Sequence, residues 1–445
     1  MTQPAKKGWD AYLMASVFEK EATFAAGKTH TDSTSCSFKG FDFDPGYADV
    51  VTNDKDEING KEHGYDQEIT AYLNNPTLKF GRVRPNDLAA FAALVLGSPT
   101  ASQDAALTAY RHRIVPITDG SALPSVSLVH SIGAIQTEYK GAKGNTLKLS
   151  GDAGGFLSMD VGMIASGNRA TNAAAIAAAI TESWMKIDQL KFFLETAGNI
   201  AIGTGCAFDG TPTTLTFVDG AGGADTLTDS ASGFVTDGFK PGMTVVIANA
   251  TTPANDGSYV LVSVAAGTLT FATGSWTTGE IGSATLTVVG TPTQATEDIS
   301  SATPDDLSIR GKSFEFGWDN KAEGQPGFGG ATYLQDVIYG RRAATFRATI
   351  QFASAAEIAY FTAQDACAIE LDFKAAGLIA VGGSMYYGAQ IVIPRAKIKA
   401  YPQPKGGVED ALSQDFDFEI FEDGTNPAVI VDCYTAQAEY LATPA

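Results

Sequence analysis

One order of elements occurs twice along the chain, and no other feature of the sequence narrows its possible folds as far. Each copy opens on a Phe-rich alternating run, SFKGFDFD at 37–44 and SFEFGWD at 313–319. Successive side chains of a strand point to opposite faces, so both runs read as strands with one face buried. A Gly-rich, charged loop follows in each copy (45–64 and 320–330), then a second strand, YDQEITAYL at 65–73 and AATFRATIQF at 343–352. Short helices come next. The first, at 84–96, has Pro85 near its start and Gly97 at its end, and Leu88, Phe91, Leu94 and Val95 give it one apolar face to lay on a sheet. In the second, Ser354 and Glu357 have the spacing of a capping box. Both copies close on paired strands around a Gly-Gly turn, at 145–163 and 395–420. The matching series predicts a mainly-β protein with two tandem β-sandwich or barrel domains, each carrying one short helix.

Between these copies the composition shifts. From Cys206 to Val289 the chain is rich in Thr, Gly, Ala and Val, has Lys240 as its one lysine and contains no arginine. Short apolar runs at 244–247, 259–264, 268–271 and 284–289 alternate with turn signals such as Asn255-Asp256-Gly257. This predicts a small all-β domain inserted into the second copy. The expected division is 1–180 for the first domain, 181–205 with 293–445 for the second, and 206–292 for a peripheral insert. Residues 172–181 are Ala-rich and read equally as helix or linker, while 184–194 reads as the opening strand of the second copy.

Charge and cysteine usage exclude several classes of protein. The net charge of −20 disfavours a DNA-gripping protein, which needs Lys and Arg to displace counterions. Cys36, Cys206, Cys367 and Cys433 are too scattered for a zinc site or a disulfide framework, and read as separate thiols made in a reducing cytoplasm. No run approaches the ~20 apolar residues of a membrane span, and the first residues do not read as a signal peptide. No catalytic, cofactor or metal site is expected. His30, His63, His112 and His130 lack metal-ligand spacing and read as surface or loop residues, and 220–223 (GAGG) lacks the Lys and Ser/Thr of a phosphate loop. Asp49, Asp54, Asp56 and Glu57 cluster in the first long loop but miss the calcium-loop spacing, and read as solvated. Arg341-Arg342 and Arg111-His112-Arg113 are the densest basic spots, expected to pair with carboxylates of a neighbouring subunit.

The run GAKGNTLKLS at 141–150, followed by Gly154-Gly155-Phe156-Leu157, resembles the Gly-x-Lys-x-Asn-x-Leu-x-Leu segment and Gly-rich turn of tail tube proteins from long-tailed, noncontractile phages. The helix ending in Gly97-Ser98 is similar to that family's Leu/Ala-rich helix, and the resemblance spans roughly 12–205 and 293–445. The insert, at 232–245 and 255–259, is similar to β modules embedded in phage structural proteins. The resemblance implies a non-enzymatic virion protein forming stacked rings, trimeric with pseudo-sixfold symmetry. Tape measure and tail terminator proteins are the implied partners, and DNA passes through the lumen without specific binding. Asp415, Asp417 and Glu419 alternate with Phe416, Phe418 and Ile420, so this row of like charges is expected to line the lumen. The loop carrying Asp49, Asp54, Asp56 and Glu57 is expected to touch the next ring. The competing expectation is a phage or cell-surface binding module whose insert holds carbohydrate, which would require surface aromatics.

Overall fold

The computed structural model describes residues 11–444 apart from 39–40, 54–66, 104–107, 119–122, 133–134, 172–176, 180, 197–199, 202–205, 238, 240–242, 277–278, 292–297, 300–304, 327–332, 353–355, 364, 381–384, 407–411, 423 and 425. The fold is mainly β. It divides into two compact units, Met1–Gly198 with Pro304–Ala445, and Asn199–Thr303.

The first half of the larger unit contributes β1 (Ala11–Ala15), β2 (Cys36–Phe38), β3 (Phe41–Asp44), β4 (Val50–Asn53), β5 (Gln67–Ala71) and β6 (Thr77–Phe80). After helix α1 (Pro85–Leu96) come β7 (Thr100–Gln103), β8 (Tyr110–Ile114), β9 (Ser125–Ile132), β10 (Ile135–Asp152), β11 (Ser158–Ile164), β12 (Arg169–Thr171) and β13 (Leu190–Thr196). The smaller unit holds β14 (Ile200–Ala201), β15 (Cys206–Ala207), β16 (Leu215–Val218), β17 (Asp225–Asp229), β18 (Thr244–Ala248), β19 (Gly257–Ala265), β20 (Thr268–Phe271), β21 (Glu280–Ile281), β22 (Thr287–Thr291) and β23 (Asp298–Ile299). The chain then re-enters the larger unit with β24 (Asp305–Asp306), β25 (Gly311–Asp319), β26 (Ala322–Pro326), β27 (Leu334–Tyr339), β28 (Ala343–Gln351), α2 (Ala356–Thr362), β29 (Cys367–Leu378), β30 (Tyr386–Ile398), β31 (Ser413–Ile420) and β32 (Ile430–Thr435).

Hydrogen bonding places the first half in the order β2-β1-β9-β10-β11-β6-β3. The second half repeats it as β24-β13-β29-β30-β31-β28-β25. A hairpin stands between the last two strands in each half, β4-β5 and β26-β27. The duplicated order thus lies in the ladder itself. Among the described residues the pairings never return to their start, so the sheets end in edges and no barrel closes. The halves do not form separate bodies either side of residue 180. The C-terminal part of β10 pairs with β25 from Thr146↔Asp319 to Asp152↔Ser313, and one apolar core runs from Leu13 and Phe91 to Phe373 and Phe418.

Three sequence expectations change register. The Phe-rich run at 37–44 is two strands, β2 against β1 and β3 against β6. The run at 65–73 contains β5 of a hairpin, and the ladder counterpart of β28 is β6. Alternation marks a strand but not its partner, so the pattern alone does not tell β5 from β6 as the counterpart of β28. The opening strand of the second copy starts at Leu190, after a 3-10 turn at Ile187–Gln189.

Helix α1 differs from expectation more instructively. Arg84 N–H donates to Asp87 Oδ2 at 2.9 Å, Pro85 takes the first turn, and Gly97 ends the helix at φ +149. All twelve of its residues are buried, so it has no solvent face. Ala89, Ala90, Ala92 and Ala93 supply a second face thin enough for strands to approach. At Gly144 of β10 an added Cβ would lie 2.7 Å from Val95 Cα, which only a glycine tolerates. The proposed capping Ser354 lies outside the described residues.

The insert has its own core around Phe217, Leu227, Phe271 and Trp276 and a sheet ordered β15-β22-β18-β19-β20-β17-β16-β21. Its borders fall at 199 and 303, wider than 206–292. On the larger unit the flanking strands pair directly, Leu194↔Asp305 and Phe193↔Asp306. Leu194 and Asp305, each within a few residues of the insert's borders, therefore lie a strand spacing apart, about 5 Å. Replacing 199–303 by a short Gly/Ser linker is expected to leave the larger unit folded and to remove one calorimetric transition. A deletion protein that is unfolded by circular dichroism would refute this independence.

Candidate assembly surface

The carboxylates singled out on β31 stand on the outer face of the continuous sheet β3-β6-β11-β10-β25-β28-β31. Phe416, Phe418 and Ile420 turn into the core at 3%, 2% and 8% exposure, so alternation turns Asp415, Asp417 and Glu419 outward. They are not a bare acidic row. Thr349 Oγ1 donates to Asp415 at 2.9 Å and Lys405 Nζ lies 3.2 Å away, and together they hold the Asp415 carboxyl below its ordinary range. Arg347 Nε lies 3.5 Å from Asp417, and Lys397 is paired in register with Glu419. Arg347 and Lys405 thus provide the ion pairs of this row.

The rows across this face have a pattern. In the first half Asp42, Lys79, Asp160 and Lys148 stand side by side across β3, β6, β11 and β10. In the second half Glu315, Arg347, Asp417 and Lys399 occupy the corresponding places across β25, β28, β31 and the continuation of β30. Acid alternates with base in both. Where the halves meet, Lys148 Nζ lies 2.8 Å from Glu315 Oε2, so the last base of one row bonds the first acid of the next.

Other sequence-predicted residues lie elsewhere. Asp49 is bound within the chain by the Arg169 guanidinium, which also stacks over Tyr47 at 4.4 Å. Burial raises the Asp49 carboxyl, but Arg169 and the Leu73 amide outweigh it and hold it below its ordinary value. Asp54, Asp56 and Glu57 lie outside the described residues. Two arginines of the Arg111 to Arg113 triplet pair within the chain. Arg111 Nη2 and Arg113 Nη2 each lie 2.7 Å from Asp432 Oδ2, a fully buried carboxylate on β32. Arg342 donates to the Ile117 carbonyl. The sequence separation of these partners, about 320 residues for the triad, hid them from pattern reading.

The histidine expectation also changes. His30 and His112 are buried, His30 Nδ1 with Ser35 Oγ at 2.9 Å and His112 Nε2 with the Gln437 carbonyl at 2.7 Å, and burial lowers the pKa of both. His63 lies outside the described residues. Cys36, Cys367 and Cys433 are buried free thiols. Among the described residues no group of three His, Cys, Asp or Glu side chains is placed to hold a metal, and no helix is long and apolar enough to cross a membrane. In the insert, Trp276 packs at 3% exposure against Phe217, Tyr259 and Phe271, where a sugar ring could not stack on it.

The fold and this surface define a class: a duplicated mainly-β chain whose two equivalent halves are joined strand to strand. No protein-family model matches the sequence, and no curated protein matches it. Among solved structures, Pseudomonas aeruginosa OpdQ aligns over 95% of this chain and 96% of its own at 8% identity and a TM-score of 0.07, a likeness too weak to carry any argument.

Proposed function

We propose that this chain is a structural subunit of a phage tail tube, a non-enzymatic virion protein whose copies join into rings that stack into a conduit for DNA. The observation that carries the reading is the β10–β25 joint, where two halves of identical ladder order meet edge to edge. A head-to-tail contact between equivalent units either closes into a ring or runs on as a filament. Two equivalents per chain make six from three chains, which fits a trimeric ring with pseudo-sixfold symmetry. The outer sheet face, with β31 carboxylates interleaved with arginine and lysine, then lines the lumen. A wall of balanced short-range pairs within a chain of net charge −20 offers DNA no continuous basic track to adhere to. Tape measure and terminator proteins would meet the ring's two flat sides.

Negative-stain microscopy of the purified protein over rising concentration tests the reading. Rings or tubes with threefold or sixfold rotational character are expected. Dispersed monomers at every concentration would overturn it.

A further inference from the structure

Among the described residues no strand repeats the internal joint on β30, and we propose that a second copy of this chain supplies it: β3 of one copy adds to that edge of β30 in the next, with Asp42 paired to Lys399. This rests on the ring reading above and names the surfaces that close it.

Within the chain, β10 is bordered on one side first by β9 and then, from Thr146 onward, by β25. In the second half β29 borders the same side of β30 and stops at Cys367↔Ala396. No described strand takes the place that β25 takes on β10. The strand equivalent to β25 is β3, and among the described residues β3 pairs with β6 alone. One chain therefore ends in the strand that the other end lacks.

Backbone donors agree with this. Lys399 and Lys405 give their N–H groups to β31, so alternation turns those of Ile398 and Ala400 to the open edge. Pro402 and Pro404 have none to give, which limits the ladder to a short partner and blunts the edge against longer ones. At four residues β3 is short, against nine for β25.

Charge agrees as well. The row Asp42, Lys79, Asp160, Lys148 is followed by Glu315, Arg347, Asp417, Lys399, and the link is the ion pair from Lys148 to Glu315. Asp42 takes Glu315's place and Lys399 takes Lys148's. Both are exposed.

A groove marks the same boundary. Where β11 ends, Ile164 is 7% exposed beneath Leu334 and Val337 of the β26–β27 hairpin. Its counterpart past β31, Phe421, is 39% exposed and lines a groove of about 500 Å³ with Ile420, Tyr339 and Arg341. The β4–β5 hairpin of the incoming copy corresponds to the β26–β27 hairpin and would cover this groove.

The test is a charge exchange in the full chain, read by analytical ultracentrifugation and microscopy. Asp42→Lys and Lys399→Glu are each expected to raise the concentration needed for rings about tenfold or more, while circular dichroism of the monomer stays unchanged. The double variant Asp42→Lys with Lys399→Glu is expected to restore rings. Rings that form normally in both single variants, or a double variant no better than either single one, would overturn the joint while leaving the ring reading intact. A wild-type protein that forms no rings would instead overturn the ring reading.

Discussion

Replacing Asp432 by Asn is expected to lower the unfolding free energy by about 3–5 kcal/mol, the range seen when one partner of a buried ion cluster is removed. The Asp432 carboxylate is 0% exposed and receives two guanidinium groups, Arg111 Nη2 and Arg113 Nη2, each at 2.7 Å. Both arginines sit on β8 of the first half, and Asp432 on β32 of the second, in register at Arg113↔Asp432. Without the carboxylate, two cations remain close together where water has little access. An asparagine keeps one acceptor oxygen there but brings no charge and turns the other position into a donor facing the guanidinium groups. Urea unfolding followed by far-ultraviolet circular dichroism measures the loss. A drop below about 1 kcal/mol would mean that the triad does not hold the halves together. Removing all three charges at once with apolar residues of similar size should cost less than removing Asp432 alone, because nothing charged is then left buried.

How much of this was readable beforehand follows from what side-chain patterns encode. Alternation located β25, β28 and β31 and assigned the two faces of β31 correctly, because each has one buried side and a period of two. It failed at 65–73, where β5 alternates well enough to be matched with β28 although its partner is β4. Helix α1 was legible at its ends, where Pro85 and Gly97 act locally. Its burial on all sides was not, since alanines suit a solvent face as well as a tightly packed one. The candidate surface was half visible. Asp415, Asp417 and Glu419 could be read as one outward row, but Arg347 meets Asp417 through strand pairing between segments 70 residues apart, and Lys405 reaches Asp415 through an isolated bridge to Ser413 that no alternation marks. The acid–base rows that make the two halves equivalent appear only when four strands are laid side by side.

A final expected result concerns pH. Glu182 lies at the entry to α1, where its Oε2 accepts the Asn86 N–H at 3.2 Å and its own carbonyl accepts Arg84 Nε at 3.2 Å. Burial pushes its carboxyl up to about 8, the Asn86 amide and Arg84 oppose this, and the nearby Asp87 charge adds to it. Burial likewise pushes Asp87 up to about 6, against the Arg84 amide and guanidinium. Both groups therefore hold a proton in the folded chain at pH values where the unfolded chain has lost it. Stability must then fall as pH rises, from about 4.5, where unfolded Glu182 ionises, to about 8, where the folded residue does. The expected loss from Glu182 is on the order of 3 kcal/mol, allowing for its partial access to solvent. Glu182→Gln keeps a group that stays neutral throughout, so its unfolding free energy should decline less between pH 5 and pH 8 and exceed that of the wild type at pH 8. The residual decline below about pH 6 would belong to Asp87. Asp415 acts in the opposite sense, since its depressed value makes it stabilising above its unfolded pKa and a source of loss only as pH falls. Urea midpoints at pH 5, 6, 7 and 8 for both proteins decide the matter: parallel curves would show that Glu182 is ionised in the folded chain and that the α1 entry tolerates its charge.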